Sequence, residues 1–294
     1  GALDHILIRS ESGGSGSVLN TLSLVAGETQ TMYTAGYDQD DNYIRDVNVQ
    51  WTVQGDIGTV STSDLYARST IFTATTIGTG TVEADTSIFA DQTGIITVTG
   101  GALDYLLIRD EANGGGSEVG GVTMTTDESL SLYAAGYDEL NNYLLDVDVT
   151  WSVTGDLDAV TSSGSSIEFS PSTSSTSGTI VVGTPGATSD TTGTITVGTG
   201  VLDHIVILDR AGGIGNVIDT LSLTASEAQA MYMAGYDQDD NYIRDVNVQW
   251  TVQGEIGTIS TSDSYESSTI FTATTIGTGT VQADTSIFAD QTGI

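Results

Sequence analysis

Apolar residues recur at every second position in short runs along this chain, and polar clusters part the runs. Residues 47–53 read VNVQWTV, a β-branched stretch of period two, which predicts a half-buried strand. The same pattern predicts strands at 4–9, 21–25, 30–37, 69–75, 80–84 and 94–99, with a shorter one at 58–61. No segment carries apolar residues at helical spacing. Seven or eight short strands with turn signals between them, in a segment of about 100 residues, predict an all-β chain built as an antiparallel sandwich.

The pattern repeats. YDQDDNYIRDVNVQW at 37–51 returns as YDELNNYLLDVDVTW at 137–151 and, letter for letter, at 236–250. GALDHILIR, GALDYLLIR and VLDHIVILD open the three copies at Gly1, Gly101 and Val201. The chain therefore divides into units 1–100, 101–200 and 201–294, each long enough for its own core. Segments 30–95 and 229–294 differ at about eight positions, Asp56/Glu255 and Val60/Ile259 among them, which indicates recent duplication.

The second unit diverges most. Its residues 155–176 are Ser/Thr-rich, and both prolines, Pro171 and Pro185, lie in it. A surface loop is expected there, with an O-glycan acceptor as the alternative. In the third unit Ile294 aligns with Ile95, so the counterpart of the closing strand is missing. Either the sequence is an excerpt of a longer polymer, the favoured expectation, or another chain supplies the strand by β-addition.

Charge narrows the setting. Thirty-nine acids face six bases, all arginine, for a net charge of −33. Such a surface repels nucleic acid and anionic lipid. It also repels itself unless salt or bound cations screen it, although acidity can equally serve solubility alone. There is no cysteine for disulfides and no lysine for a Lys–Asn cross-link. The apolar runs are too short to span a membrane. An extracellular or cell-surface location is the expectation.

The acidic loop is the chief candidate site. Asp38, Asp40, Asn42 and Asp46 stand at positions 1, 3, 5 and 9 of a calcium-loop-like series, with the Ile44 carbonyl at 7. The equivalents are Asp237, Asp239, Asn241 and Asp245 in the third unit. The second keeps Asp138, Asn142 and Asp146 but has Leu140 where Asp40 stands. The series lacks the Gly and Glu of an EF-hand. The alternative is an Asp/Asn turn whose side chains bond backbone amides.

The segment 132–155, LYAAGYDELNNYLLDVDVTWSVTG, and its two sisters carry a family resemblance. A loop of form D-x-x-x-N-x-x-x-D, then V-x-V-x-W-[ST]-V, resembles the bacterial immunoglobulin-like domains of intimin, invasin and giant surface adhesins. The resemblance implies three tandem immunoglobulin-like antiparallel β-sandwiches, the last without its closing strand, acting as stalk, spacer or adhesive tip. It says nothing of the Gly-rich insertion after the first strand. It also implies that the acidic loop lies at the pole facing the preceding unit. Asp4, Asp85 and Asp91 would then join Asp38 and Asp40 there, and calcium would stiffen the joints.

Trp51, Trp151 and Trp250 are expected between the sheets, with carbohydrate stacking as the alternative, and Tyr37 and Tyr43 as rim or core packing. His5 and His204 alternate with Tyr105 at one repeat position, which argues for a structural ring rather than a catalytic one. No nucleophile elbow, metalloprotease motif or phosphate loop occurs, and no enzyme activity is expected. The function expected is a structural subunit of a fibre, filament or surface layer, its partners being copies of itself. The alternatives are an adhesin gripping glycan or a host surface, and an accessory region of a secreted enzyme.

Overall fold

The computed structural model describes residues 1–62, 65–160, 162–261 and 264–294. Those residues form strands and turns and no helix. Three separate hydrophobic cores draw on residues 3–98, 103–197 and 202–294.

The first unit sets the pattern. Its strands are β1 (His5–Arg9), β2 (Leu22–Val25), β3 (Thr29–Tyr37), β4 (Tyr43–Asp46), β5 (Gln50–Gln54), β6 (Gly58–Val60), β7 (Ser69–Ala74), β8 (Gly78–Asp85), β9 (Ala90–Gln92) and β10 (Ile96–Thr99). One sheet runs β1-β3-β7-β6, with β4 also on β3; the other runs β2-β10-β8-β5, with β9 also on β8. This is the immunoglobulin-like arrangement, with the opening strand split between the sheets. Alternation dictates it: Ile6 and Ile8 of β1, and Phe72 and Ala74 of β7, point inward and are buried.

Three details depart from the sequence reading. The split opening strand makes β2 run parallel to β10, the one parallel pair in an otherwise antiparallel unit. Residues 43–46, read as loop, form β4, a hairpin return on β3 with a bulge at Gly36/Tyr37. Gly36 sits there because a Cβ would stand 2.5 Å from Leu3 and 2.7 Å from Val47. Residues 90–92, which lie between the predicted strands 80–84 and 94–99, form β9.

The Ser/Thr-rich tract of the second unit carries two short strands within its loops; Thr161 lies outside the described residues. Ser162–Gly164 pairs with Val149–Val153, and Ser166–Phe169 pairs with residues 130–133. Period-two apolar residues, Ile167 and Phe169, hide among the serines. In the third unit Ala289–Gly293 pairs along all of Thr280–Asp284. A parallel bridge joins Thr220 to Gly293, where the ladder of β2 and β10 begins in the first unit.

The tryptophans fill the cores as expected: Trp51, Trp151 and Trp250 are at most 1% exposed. Each indole N–H donates to a backbone carbonyl, of Ala67 at 3.1 Å, Gly164 at 2.9 Å and Glu266 at 3.0 Å. Burying the ring without orphaning its donor is what makes this position stabilising.

Candidate functional site: the joints between units

Sequence order places the acidic loop between β3 and β4, and the same loop recurs in each unit. Its first Asp folds back over the turn. Asp138 Oδ1 accepts the backbone N–H groups of Leu140 at 3.0 Å and Asn142 at 2.8 Å, and the Asn142 side-chain amide at 3.1 Å. Asp38 and Asp237 do the same in their loops. Asp41, Asn141 and Asp240 adopt φ of 61°, 66° and 63°, a left-handed conformation that Asp and Asn tolerate. The polar pattern thus encodes an Asx-type turn.

What the turn holds is the neighbouring unit. Asp138 Oδ2 accepts the N–H of Gly101 in the connecting segment at 2.9 Å. The Asn142 side-chain N–H donates to the Thr75 carbonyl at 2.9 Å, and its Oδ1 accepts the Ile77 N–H at 3.3 Å. Asn142 therefore grips the β7–β8 turn of the first unit through both ends of one amide. Ile77 and Leu144 both crowd the place where a Cβ on Gly100 would stand. Ile77 is 42% exposed and its repeat copy Ile276 is 97% exposed.

The second joint repeats the device. Asp237 accepts Gly200 N–H at 2.9 Å. Asn241 donates to the Ser172 carbonyl at 2.9 Å and accepts Ser174 N–H at 3.0 Å. The gripped turn comes from the Ser/Thr-rich tract, and Asp158 braces it from below by accepting the N–H groups of Ser172 at 2.6 Å and Thr173 at 3.0 Å. In the first unit the amino group of Gly1 takes the place of the Gly101 amide, 3.1 Å from Asp38.

Electrostatics follow from the donors. The Asn42 amide, then the terminal amine, lower the Asp38 carboxyl to about 2. Burial pushes the Asp138 and Asp237 carboxyls up, but the amides of Gly101 and Gly200 and of the loop Asn residues outweigh it, and both fall below the usual range. Asp138 and Asp237 are 2% and 0% exposed, so these are buried anions held by N–H groups in place of a cation.

The remaining candidates part from this group. Asp46 points to the other side, accepting the Tyr43 hydroxyl at 3.0 Å and the Gly13 N–H at 3.0 Å; Asp146 and Asp245 repeat this with Tyr143 and Asn113, and with Tyr242 and Gly212. They latch the Gly-rich insertion onto β4. Arg9 clasps it from beyond, through the Ser15 and Gly16 carbonyls at 2.9 and 2.7 Å. Gly14, at φ 69°, lies on Tyr43, where a Cβ would stand 2.6 Å from the ring. Asp40 and Asp239 are exposed.

Asp85 and Asp91 bond elsewhere, whereas Asp4 stays beside the acidic loop, with His5 Nε2 3.4 Å from Asp41. Asp4 is 3.3 Å from His5 Nδ1, and Asp85 accepts the Ser87 amide inside its own turn. Asp91 accepts Ile8 N–H at 2.6 Å, as Asp190 and Asp290 do for Ile108 and Ile207. Sequence reading missed that role, a carboxylate satisfying an edge-strand amide across the two sheets. The signal was there in the repeat of Asp at 91, 190 and 290. Among the described residues no three acidic or histidine side chains gather to hold a metal ion. Calcium at these loops would have to displace the amide hydrogens from Asp138 and Asp237.

His5, Tyr105 and His204 stack on Tyr37, Tyr137 and Tyr236 at 5.4, 5.3 and 5.6 Å. A flat ring suffices, which explains why His and Tyr alternate. Exposed large aromatics are Tyr43, Tyr66 and Tyr265, scattered over the first and third units. No helix among the described residues is long and apolar enough to cross a membrane.

No family model and no curated protein matches the sequence. Among solved structures, the whole chain aligns with 98% of FdeC, an adhesin of Escherichia coli, at 15% identity and a TM-score of 0.47. It aligns with 40% of domains 1–6 of the surface layer protein SbsC at 17% identity and a TM-score of 0.31. Over 94% of its length it aligns with 73% of cadherin domains 1–4 of protocadherin gamma B7, at 12% identity and a TM-score of 0.32. These likenesses are too distant to carry an argument about function; the immunoglobulin-like fold rests on the strand order of the chain itself.

Proposed function

We propose that this chain is a length of an extracellular structural rod or surface layer. Its immunoglobulin-like domains, bounded near residues 100 and 200, are clasped end to end. The observation that carries the proposal is the paired grip of Asp138/Asn142 and Asp237/Asn241 on the preceding unit. Two buried carboxylates and two amides at equivalent positions spend their hydrogen bonds on their own turn and on the preceding unit, which favours a load path over a ligand site. Net charge of −33 keeps such rods apart in solution. Copies of the chain are the proposed partners. A glycan-gripping or host-binding adhesin is less favoured, because exposed aromatics do not cluster on the divergent second unit.

Electron microscopy of the protein purified from its source, with and without a calcium chelator, tests the proposal. Extended rods or regular filaments are expected. Rods that bend on chelation would add calcium bracing to the hydrogen-bonded clasp. Flexible strings under both conditions would overturn the rod and favour a stalk, with glycan binding measured next.

A further inference from the structure

The two joints share one clasp but differ in what surrounds it. At the first, the preceding unit presents Ala26 and Gly27 to Asp138, and a half-open cleft of about 320 Å³ remains between them, lined also by Leu103 and Leu140. At the second, the same repeat positions hold Thr126 and Asp127. The Thr126 hydroxyl donates to Asp237 Oδ2 at 2.8 Å, and Asp127 Oδ2 accepts the Val201 N–H at 2.6 Å. Thr126 is buried, and Asp237 is fully so. Within the second unit, Asp158 also steadies the turn that the third unit grips.

We infer that the chain bends unevenly: the first joint is a hinge, and the second is locked by Thr126 and Asp127, so that the second and third units move as one body. The inference rests on the clasp proposed above. Side-chain bonds to a buried carboxylate lower the freedom of the joint that has them, and an open cleft gives the other joint room to close and reopen. Substitution at two adjacent positions per unit thus sets where a repetitive rod flexes while its domains stay alike.

The absence of native cysteine makes the test clean. Spin labels on exposed strand positions, at Gln54→Cys with Ser152→Cys and at Ser152→Cys with Gln253→Cys, report the distance distribution across each joint. The first pair should give the broader distribution. Thr126→Ala with Asp127→Ala should broaden the second pair without changing thermal unfolding of the cores. Ala26→Thr should narrow the first pair. Gly27 is left alone because its φ of 95° would strain an Asp there. Equally narrow distributions would overturn the hinge and leave the clasp standing. Equally broad ones would overturn the clasp as well. A second pair unmoved by the Thr126/Asp127 variant would overturn the assignment of the lock.

Discussion

The side-chain amide of Asn142 donates to the backbone carbonyl of Thr75 across 67 residues of sequence, at 2.9 Å. Its other end accepts the Ile77 N–H, so one side chain reads two consecutive turn amides of the neighbouring unit. Asn142→Ala removes both bonds and one donor to Asp138. The expected loss is about 1–3 kcal/mol of coupling between the first and second units, with each core unchanged. Calorimetry would show it as splitting of unfolding transitions that are coupled in the parent. Asn142→Asp should be worse than Ala, because it sets a second carboxylate against Asp138 and against the Thr75 carbonyl.

Acid should open the joints before it unfolds the cores. Asp138 and Asp237, the carboxyls that hold the two joints, are both held below their usual 3.8 in the folded chain. Carboxyls with depressed folded values contribute stability that is full above the unfolded value and lost as pH falls through the folded one. The clasps should therefore hold from neutral pH down to about 4 and loosen below it. Asp91 shifts the other way, raised by burial, so its protonation does not add to the loss. Scattering profiles recorded from about pH 7 to about pH 2 would show the maximum dimension spreading first and the strand signal lost later.

Trp151→Ala should unfold the second unit selectively. The ring is 1% exposed and its N–H is satisfied by Gly164, so truncation costs about 3–5 kcal/mol, a large share of what a domain of this size holds. Loss of dispersed methyl signals from 103–197 alone, in a nuclear magnetic resonance spectrum, is the expected result.

Arg109→Ala should free the Gly-rich insertion while sparing the fold. Its guanidinium bonds the carbonyls of Gly115 and Gly116, both at 2.7 Å. These bonds are largely exposed, so the stability change should stay within about 1 kcal/mol. Amide exchange across 112–117 should quicken, with residues 105–108 unaffected.

Much of the fold was legible because alternation, repeats and turn residues agreed with one another, as in the run VNVQWTV that leads into the Trp51 core. Strand β4 was not, because YIRD is too short and too charged to stand out from a polar loop. The strands within the serine-rich tract were masked by composition, although Ile167 and Phe169 kept the period of two. The candidate site was legible in place but not in partner. Spacing brought out Asp38, Asp138 and Asp237 with their Asn companions, and the family resemblance implied the pole facing the preceding unit. It also grouped Asp46 with them, whereas the β4 hairpin turns that carboxylate toward Tyr43 and Gly13. Sequence spacing reports which carboxylates are near along the chain; whether N–H groups already fill their lone pairs depends on turn handedness and on the next unit.

Small-angle X-ray scattering of the parent chain beside the Asn142→Ala/Asn241→Ala variant, each with and without chelator, tests the central claim most directly. The account predicts an extended parent with a sharply bounded maximum dimension, and a variant of unchanged strand content whose pair-distance distribution broadens and shortens. A variant as extended as the parent, in either buffer, would contradict the clasp.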